Sequence, residues 1–163
     1  ACMRVSLMGT MGTMDALATQ LTGNCAFRLL PSDDLADAPS RAALTRLGAG
    51  LSLAYSWEHP VDGEQRGGLV VGGPGEEGRV EAAWYDTWHQ QPDVMTLVGR
   101  RDVDRVELEA TYAEEWGWTI TVDFSDTEAA MTMCNVVPSS ALASLPPDAP
   151  PVEAGPYDVM VAR

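Results

Sequence analysis

The sequence predicts an all-β protein, an antiparallel up-and-down barrel of about eight to ten strands with a short N-terminal helix. Three observations predict it. Segments after Asn24 alternate apolar and polar residues with a period of two, the mark of strands with one buried and one wet face. Turn residues such as Asp62-Gly63 separate these segments at short intervals, so that neighbours pair as hairpins. No long stretch carries a helical period, and so many consecutive antiparallel strands must close or stack, because open edges invite aggregation.

Residues 3–14 are rich in Met, Gly and Thr and show no period. Asp15 is placed to cap one or two helical turns ending at Leu21, with Gly23 as the stop. The chain thus divides into an N-terminal segment, 1–23, and a barrel domain, 24–163. Cys25, Phe27 and Leu29 open the first strand, and Pro31 to Pro39 reads as an acidic loop. Leu47, Ala49, Leu51, Leu53, Tyr55 and Trp57 share one face of the next run. Asp62-Gly63 turns the chain into a return strand from Arg66 to Gly72. Val80, Ala82 and Trp84 then alternate with Arg79, Glu81 and Tyr85. Pro92 punctuates, and Met95 and Leu97 follow. The clearest pair is Val106, Leu108, Ala110 and Tyr112, then Trp118, Ile120, Val122 and Phe124. Met131 and Met133 continue the pattern. A Pro-rich connection over 138–156 leads to a final period-two strand from Tyr157. The shared phase predicts that Leu51, Leu53, Tyr55, Val106, Leu108, Tyr112, Trp118, Ile120 and Val122 point inward.

The stretch from Leu47-Gly48 to Tyr112 joins an aromatic strand with Tyr55, the Asp62-Gly63 hairpin, the strand Gly67-Gly68 to Gly72-Gly73, the segment Trp84-Tyr85-Asp86-Thr87, and Gly99. In this it resembles an uncharacterised family of small bacterial calycin-like barrels, related in shape to lipocalins and fatty-acid-binding proteins. The resemblance implies the barrel; it carries no settled biochemical role.

Composition narrows the function. The 163 residues carry 10 Lys+Arg against 24 Asp+Glu, a net charge of −14, and every one of those cations is Arg. A nucleic-acid binder needs a basic footprint, so nucleic acid is not an expected partner. Anionic membrane surfaces are disfavoured for the same reason, and no apolar run approaches the ~20 residues of a membrane span. Cys2, Cys25 and Cys134 form no CxxC pair, and Cys25 and Cys134 sit among apolar residues as small buried hydrophobes. Reduced thiols fit a cytoplasmic address, and the Gly-, Thr- and Asp-diluted N-terminus does not read as a secretory signal.

Trp84-Tyr85-Asp86-Thr87-Trp88-His89 is the densest chemical segment. Asp86, between two Trp on an inner face, would be desolvated and could act as a general acid or base, with Tyr85 as a second candidate. The plainer reading is that Asp86 caps a turn at the barrel mouth. His89 reads as a loop-end residue at a surface. With His59 far away in sequence and no Cys nearby, no metal or other cofactor is expected. Gly67-Gly68 and Gly72-Gly73 lack a following helix and read as strand curvature, not as a phosphate loop. A barrel of eight or more strands has interior room for one small ligand. Trp84, Trp88 and Trp118, with Tyr55 and Tyr112, are the expected aromatic walls. The leading expectation is a binder of a small hydrophobic or aromatic molecule. A cyclase or isomerase on the same scaffold, and a filled barrel serving as an interaction module or homodimer, are the alternatives.

Overall fold

The computed structural model describes residues 18–143, 146 and 151–163. Ten antiparallel strands form a closed barrel, each paired with its sequence neighbours and the last with the first. They are β1 (Ala18–Phe27), β2 (Ala36–Leu47), β3 (Gly50–His59), β4 (Gly63–Val71), β5 (Arg79–Asp86), β6 (Gln90–Arg101), β7 (Arg105–Tyr112), β8 (Trp116–Phe124), β9 (Ala129–Val137) and β10 (Gly155–Ala162). A 3-10 turn at Glu76–Gly78 and a single helical turn at Ser139–Leu142 complete the described elements.

Alternation sets the register. Val106↔Val122, Leu108↔Ile120 and Ala110↔Trp118 face each other across β7 and β8, and Leu51↔Val71 and Leu53↔Leu69 across β3 and β4. All of the residues expected inward are buried except Tyr112, which is half-buried and packs against the core.

The interior is not uniform along its length. Toward the end formed by the β2–β3, β4–β5, β6–β7 and β8–β9 connections it is aliphatic, with Leu51, Val71, Val80, Leu97, Val106 and Val122 buried. The guanidinium groups of Arg46 and Arg101 lie over the Phe124 ring at 5.2 and 5.4 Å and help close that end. Toward the opposite end it is aromatic and polar. Phe27, Trp57, Trp84 and Trp118 are buried there together with Gln65, Asp86 and Asn135. The two halves follow from where each strand carries its aromatic residues: late in β3, β5 and β7 and early in β8.

Several expectations need correction. Residues 18–21 are strand, not helix, so the barrel begins before Asn24; residues 15–17 lie outside the described residues. Pairing of β1 with β2 along its whole length, from Ala18↔Thr45 to Phe27↔Ala36, overrides a locally ambiguous pattern. The Pro31–Pro39 segment is only partly a loop, since β2 starts at Ala36. Pro39 fits because the β2–β3 ladder starts only at Ser40↔Trp57. At Pro39 the strand is locally an edge, where a missing N–H is tolerated. The run from Leu47 to Trp57 is broken by a tight turn at Gly48, whose φ of +61° favours glycine. Cys25 is fully buried as expected, whereas Cys134 is half-buried and its thiol meets Asp158 at 3.2 Å.

Candidate functional site

The site is built on one turn. Where β5 ends, Asp86 Oδ1 accepts the backbone N–H of Trp88 at 2.8 Å and of His89 at 2.6 Å. This Asx-type cap bends the chain into β6. Thr87 anchors the same turn to β4, its Oγ1 accepting the Arg66 N–H and donating to Gln65 Oε1, both at 2.9 Å. The turn-capping reading of Asp86 thus describes its backbone role. Its second oxygen does something else. Oδ2 accepts the Tyr55 hydroxyl at 2.8 Å, and that hydroxyl in turn accepts the Trp84 indole N–H at 2.9 Å.

Glycine makes this geometry possible. Tyr55, Gly67 and Asp86 stand in one cross-strand row, 55↔67↔86. A Cβ on Gly67 would lie 2.1 Å from the Tyr55 ring, so the bare backbone lets the phenol lie across β4 and reach the carboxylate. Gly68 does the same on the outer wall, under the Tyr85 ring. The glycine pair therefore seats two tyrosines on opposite faces. It holds regular register with β3 and β5, so no bulge interrupts the strand there.

His89 is not at a surface. Its side chain is wholly buried, with Nδ1 3.3 Å from Asp86 Oδ1. Trp57 stacks on the ring at 5.6 Å, and Trp88 and Trp118 present their edges at 4.7 and 6.2 Å. The Asx cap folds the turn so that the ring points back into the barrel. Neither imidazole nitrogen has a hydrogen-bond partner among the described residues. Burial pushes the Asp86 carboxyl up, but the neighbouring imidazole and the two backbone N–H donors outweigh it and hold it below the usual carboxylate range. Tyr55 moves the other way. Burial, and then the Asp86 charge, push its hydroxyl well above the ordinary tyrosine value. An ionised carboxylate thus sits beside a firmly protonated phenol.

Two cavities flank this belt. The larger, about 670 Å³, runs from Tyr55 and Trp57 to the turns at Asp104-Arg105 and Ser125–Glu128. Its inner wall on β1, β2, β9 and β10 carries short side chains: Gly23, Ser40, Ala42, Ala129 and Ala162. Leu21, Leu53, Met131 and Met160 make it apolar. Cys25 also lines it, its thiol pushed up to about 11, first by burial and then by Asp37. The smaller cavity, about 380 Å³, lies at the aromatic end and is bordered by Tyr112, Trp118 and Asn135, among others.

The expected site residues separate accordingly. Tyr55 borders the large cavity, and Trp118 and Tyr112 the small one. Trp84 is completely buried behind Tyr55 and edge-on to Trp118 at 5.1 Å, lining neither cavity. Trp88 lines neither as well. It packs between Phe27 and His59 at 5.4 and 5.0 Å and donates to Asp62 Oδ2 at 3.2 Å, stoppering the aromatic end. Tyr85 is 46% exposed on the outer wall, so it cannot serve as the partner of Asp86 inside the barrel. Trp57, His89 and Asn135 went unrecognised as site residues. For His89, the spacing Asp86-x-x-His89 across a turn was the available signal. Asn135 stood out only as a polar residue in the inward phase of Met131 and Met133. Among the described residues no group of three or more His, Cys, Asp or Glu converges as a metal-ligand set. Comparison with known proteins finds no family model, curated protein or solved structure that matches this chain.

Proposed function

We propose that the protein binds a small, largely apolar molecule in the larger cavity of the barrel. The observation that carries this is a volume of about 670 Å³ open among the described residues, bordered by short and aliphatic side chains and by charged ones such as Arg41, Arg105 and Asp123, and floored by Tyr55 and Trp57. That volume falls within the range of small-molecule sites, which are mostly apolar with a few placed polar groups. The Tyr55 hydroxyl, donating to Asp86 and accepting from Trp84, is held in place, so that its ring forms a fixed part of the cavity floor. The closed ten-strand barrel fits the calycin-like resemblance and supports the same reading. The open space among the described residues also favours it over a packed interaction module.

A second reading is favoured by one observation, the buried Asp86–His89 pair with Tyr55 between it and the cavity. A buried carboxylate 3.3 Å from an imidazole is a pair suited to proton transfer, and an enzyme that encloses its substrate could use it.

Native mass spectrometry of freshly purified protein tests the first reading. A small apolar molecule should be carried through purification, and Ala42→Phe, which fills the cavity, should expel it. Retention of the molecule by Ala42→Phe would sink this reading. Asp86→Asn separates the two: a binder keeps its ligand with little change, while an enzyme keeps binding and loses turnover.

A further inference from the structure

The smaller cavity at the aromatic end carries a separate inference. It is bordered by Leu29, Met95, Tyr112, Trp118, Asn135 and Val159, with His89 and Gln90 at its turn, and among the described residues that line it there is no Asp, Glu or Arg. Two features of it ask for a ligand. Asn135 is 8% exposed; its Nδ2 donates to Tyr112 Oη at 2.7 Å, and its Oδ1 has no partner among the described residues. A buried amide oxygen is ordinarily paired, so this one is poised for a donor. Tyr112, which accepts from Asn135, still has its own proton to give, and no acceptor for it is found among the described residues. The second feature is flat and apolar: Tyr112 and Trp118 stack at 6.2 Å and 22°, forming an aromatic wall of a cavity that Leu29, Met95 and Val159 also line.

We propose that this cavity binds a small neutral aromatic molecule bearing one hydroxyl, of the phenol type. The ligand hydroxyl donates to Asn135 Oδ1 and accepts the Tyr112 proton. This closes a ring of three hydrogen bonds with the existing Asn135–Tyr112 bond, while the ligand ring lies along Trp118. An anion is disfavoured because no Arg among the described residues of the wall offsets its desolvation and the chain carries a net charge of −14. A hydrocarbon of the same shape leaves Asn135 Oδ1 unpaired. This site does not rest on the reading of the larger cavity. Tyr55 and Trp57, stacked at 6.1 Å, and Trp57 and His89, stacked at 5.6 Å, stand between the two.

Titration with phenol, toluene and benzoate, followed by tryptophan fluorescence and by ¹H–¹⁵N NMR, tests it. Phenol should bind at least tenfold tighter than toluene, and benzoate should not bind. Phenol should shift the Asn135 side-chain amide and the Trp118 indole resonances. Asn135→Leu should bring phenol down to the toluene level while leaving toluene unchanged. Tyr112→Phe, which keeps the stacked ring, should weaken phenol alone and serves as the second variant if Asn135→Leu does not fold. Equal affinity for phenol and toluene overturns the proposal, as do shifts confined to Leu53 and Met131 in the larger cavity. Neither result touches the reading of that larger cavity, whose test is a different molecule retained through purification.

Discussion

Asp86 shows how much chemistry one side chain holds when sequence places it at a strand end. One oxygen folds the β5–β6 turn and the other organises Tyr55 and Trp84. Its inward phase between Trp84 and Trp88 was legible from alternation. The identity of its partners was not, because Tyr55 lies 31 residues away and reaches it only across a glycine. His89 was misread for a related reason. A residue beyond a strand end reads as exposed unless the cap that turns its ring inward is recognised. The carboxylate's folded pKa is depressed below its unfolded value of about 3.9. Its contribution to stability is therefore present above that value and is lost as pH falls through the lower folded value. Asp86→Asn should cost about 1.5–3 kcal/mol at neutral pH, the range for hydrogen bonds to a charged group. In urea titrations across pH, the gap between wild type and Asp86→Asn should narrow below about pH 3.9. A gap that stays constant into acid would show that Asp86 is not ionised in the folded protein.

Among elements, β4 is the most informative. Its interior glycines Gly67 and Gly68 cost strand propensity, yet each lies under a tyrosine ring, one inside the barrel and one outside. The sequence showed the glycines but not what covers them, since period-two patterns fix faces and leave cross-strand partners open. β2 was harder to read. Its acidic and proline-containing start looks like loop, and only its one-sided pairing with β1 around Pro39 makes it strand. The two faces of β4 give a matched prediction. Gly67→Ala drives a methyl into a Tyr55 ring that is buried and hydrogen-bonded, so it should cost about 1–3 kcal/mol as overpacking and disturb the Tyr55–Asp86 contact. Gly68→Ala meets the Tyr85 ring, which is 46% exposed and free to swing aside, and should stay within about 0.5 kcal/mol. Thermal denaturation of both variants, with near-ultraviolet circular dichroism for the tyrosine environment, checks the difference. Equal costs would mean the two tyrosines are not placed on opposite faces.

For the whole molecule, closure is where fold and function meet. The ladders within the β-meander vary; β7 and β8 pair from Arg105↔Asp123 to Tyr112↔Trp116, whereas β6 and β7 pair only from Val98↔Glu109 to Arg101↔Val106. The seam that closes the barrel is short. β1 and β10 pair in register at Cys25↔Ala162, Ala26↔Val161 and Phe27↔Met160, extended at one end by the reciprocal bonds between Asn24 and Arg163 at 3.0 Å and at the other by the Arg28 N–H to the Val159 carbonyl at 2.9 Å and Arg28 Nε to the Asp158 carbonyl at 2.7 Å. Beside this seam β10 is irregular, its register with β9 shifting between Asp158 and Met160. The larger cavity lies against the same seam, with Gly23, Cys25, Met160 and Ala162 in its wall. A short ladder, the neighbouring irregularity in β10 and short side chains make the Asn24–Arg163 end of the seam a low-stability part of the barrel. It is therefore the natural place for a ligand to enter. Hydrogen exchange should show the amides of Asn24 and Arg163, which join β1 to the end of β10, exchanging well before those of Ile120 and Val122 in β8. A molecule held in the larger cavity should slow the seam amides selectively, because it fills the space on which β1 and β10 rest. Uniform protection around the barrel would contradict a weak seam. Slowing that appears at the β5–β6 turn and not at the seam would place the bound molecule at the aromatic end instead.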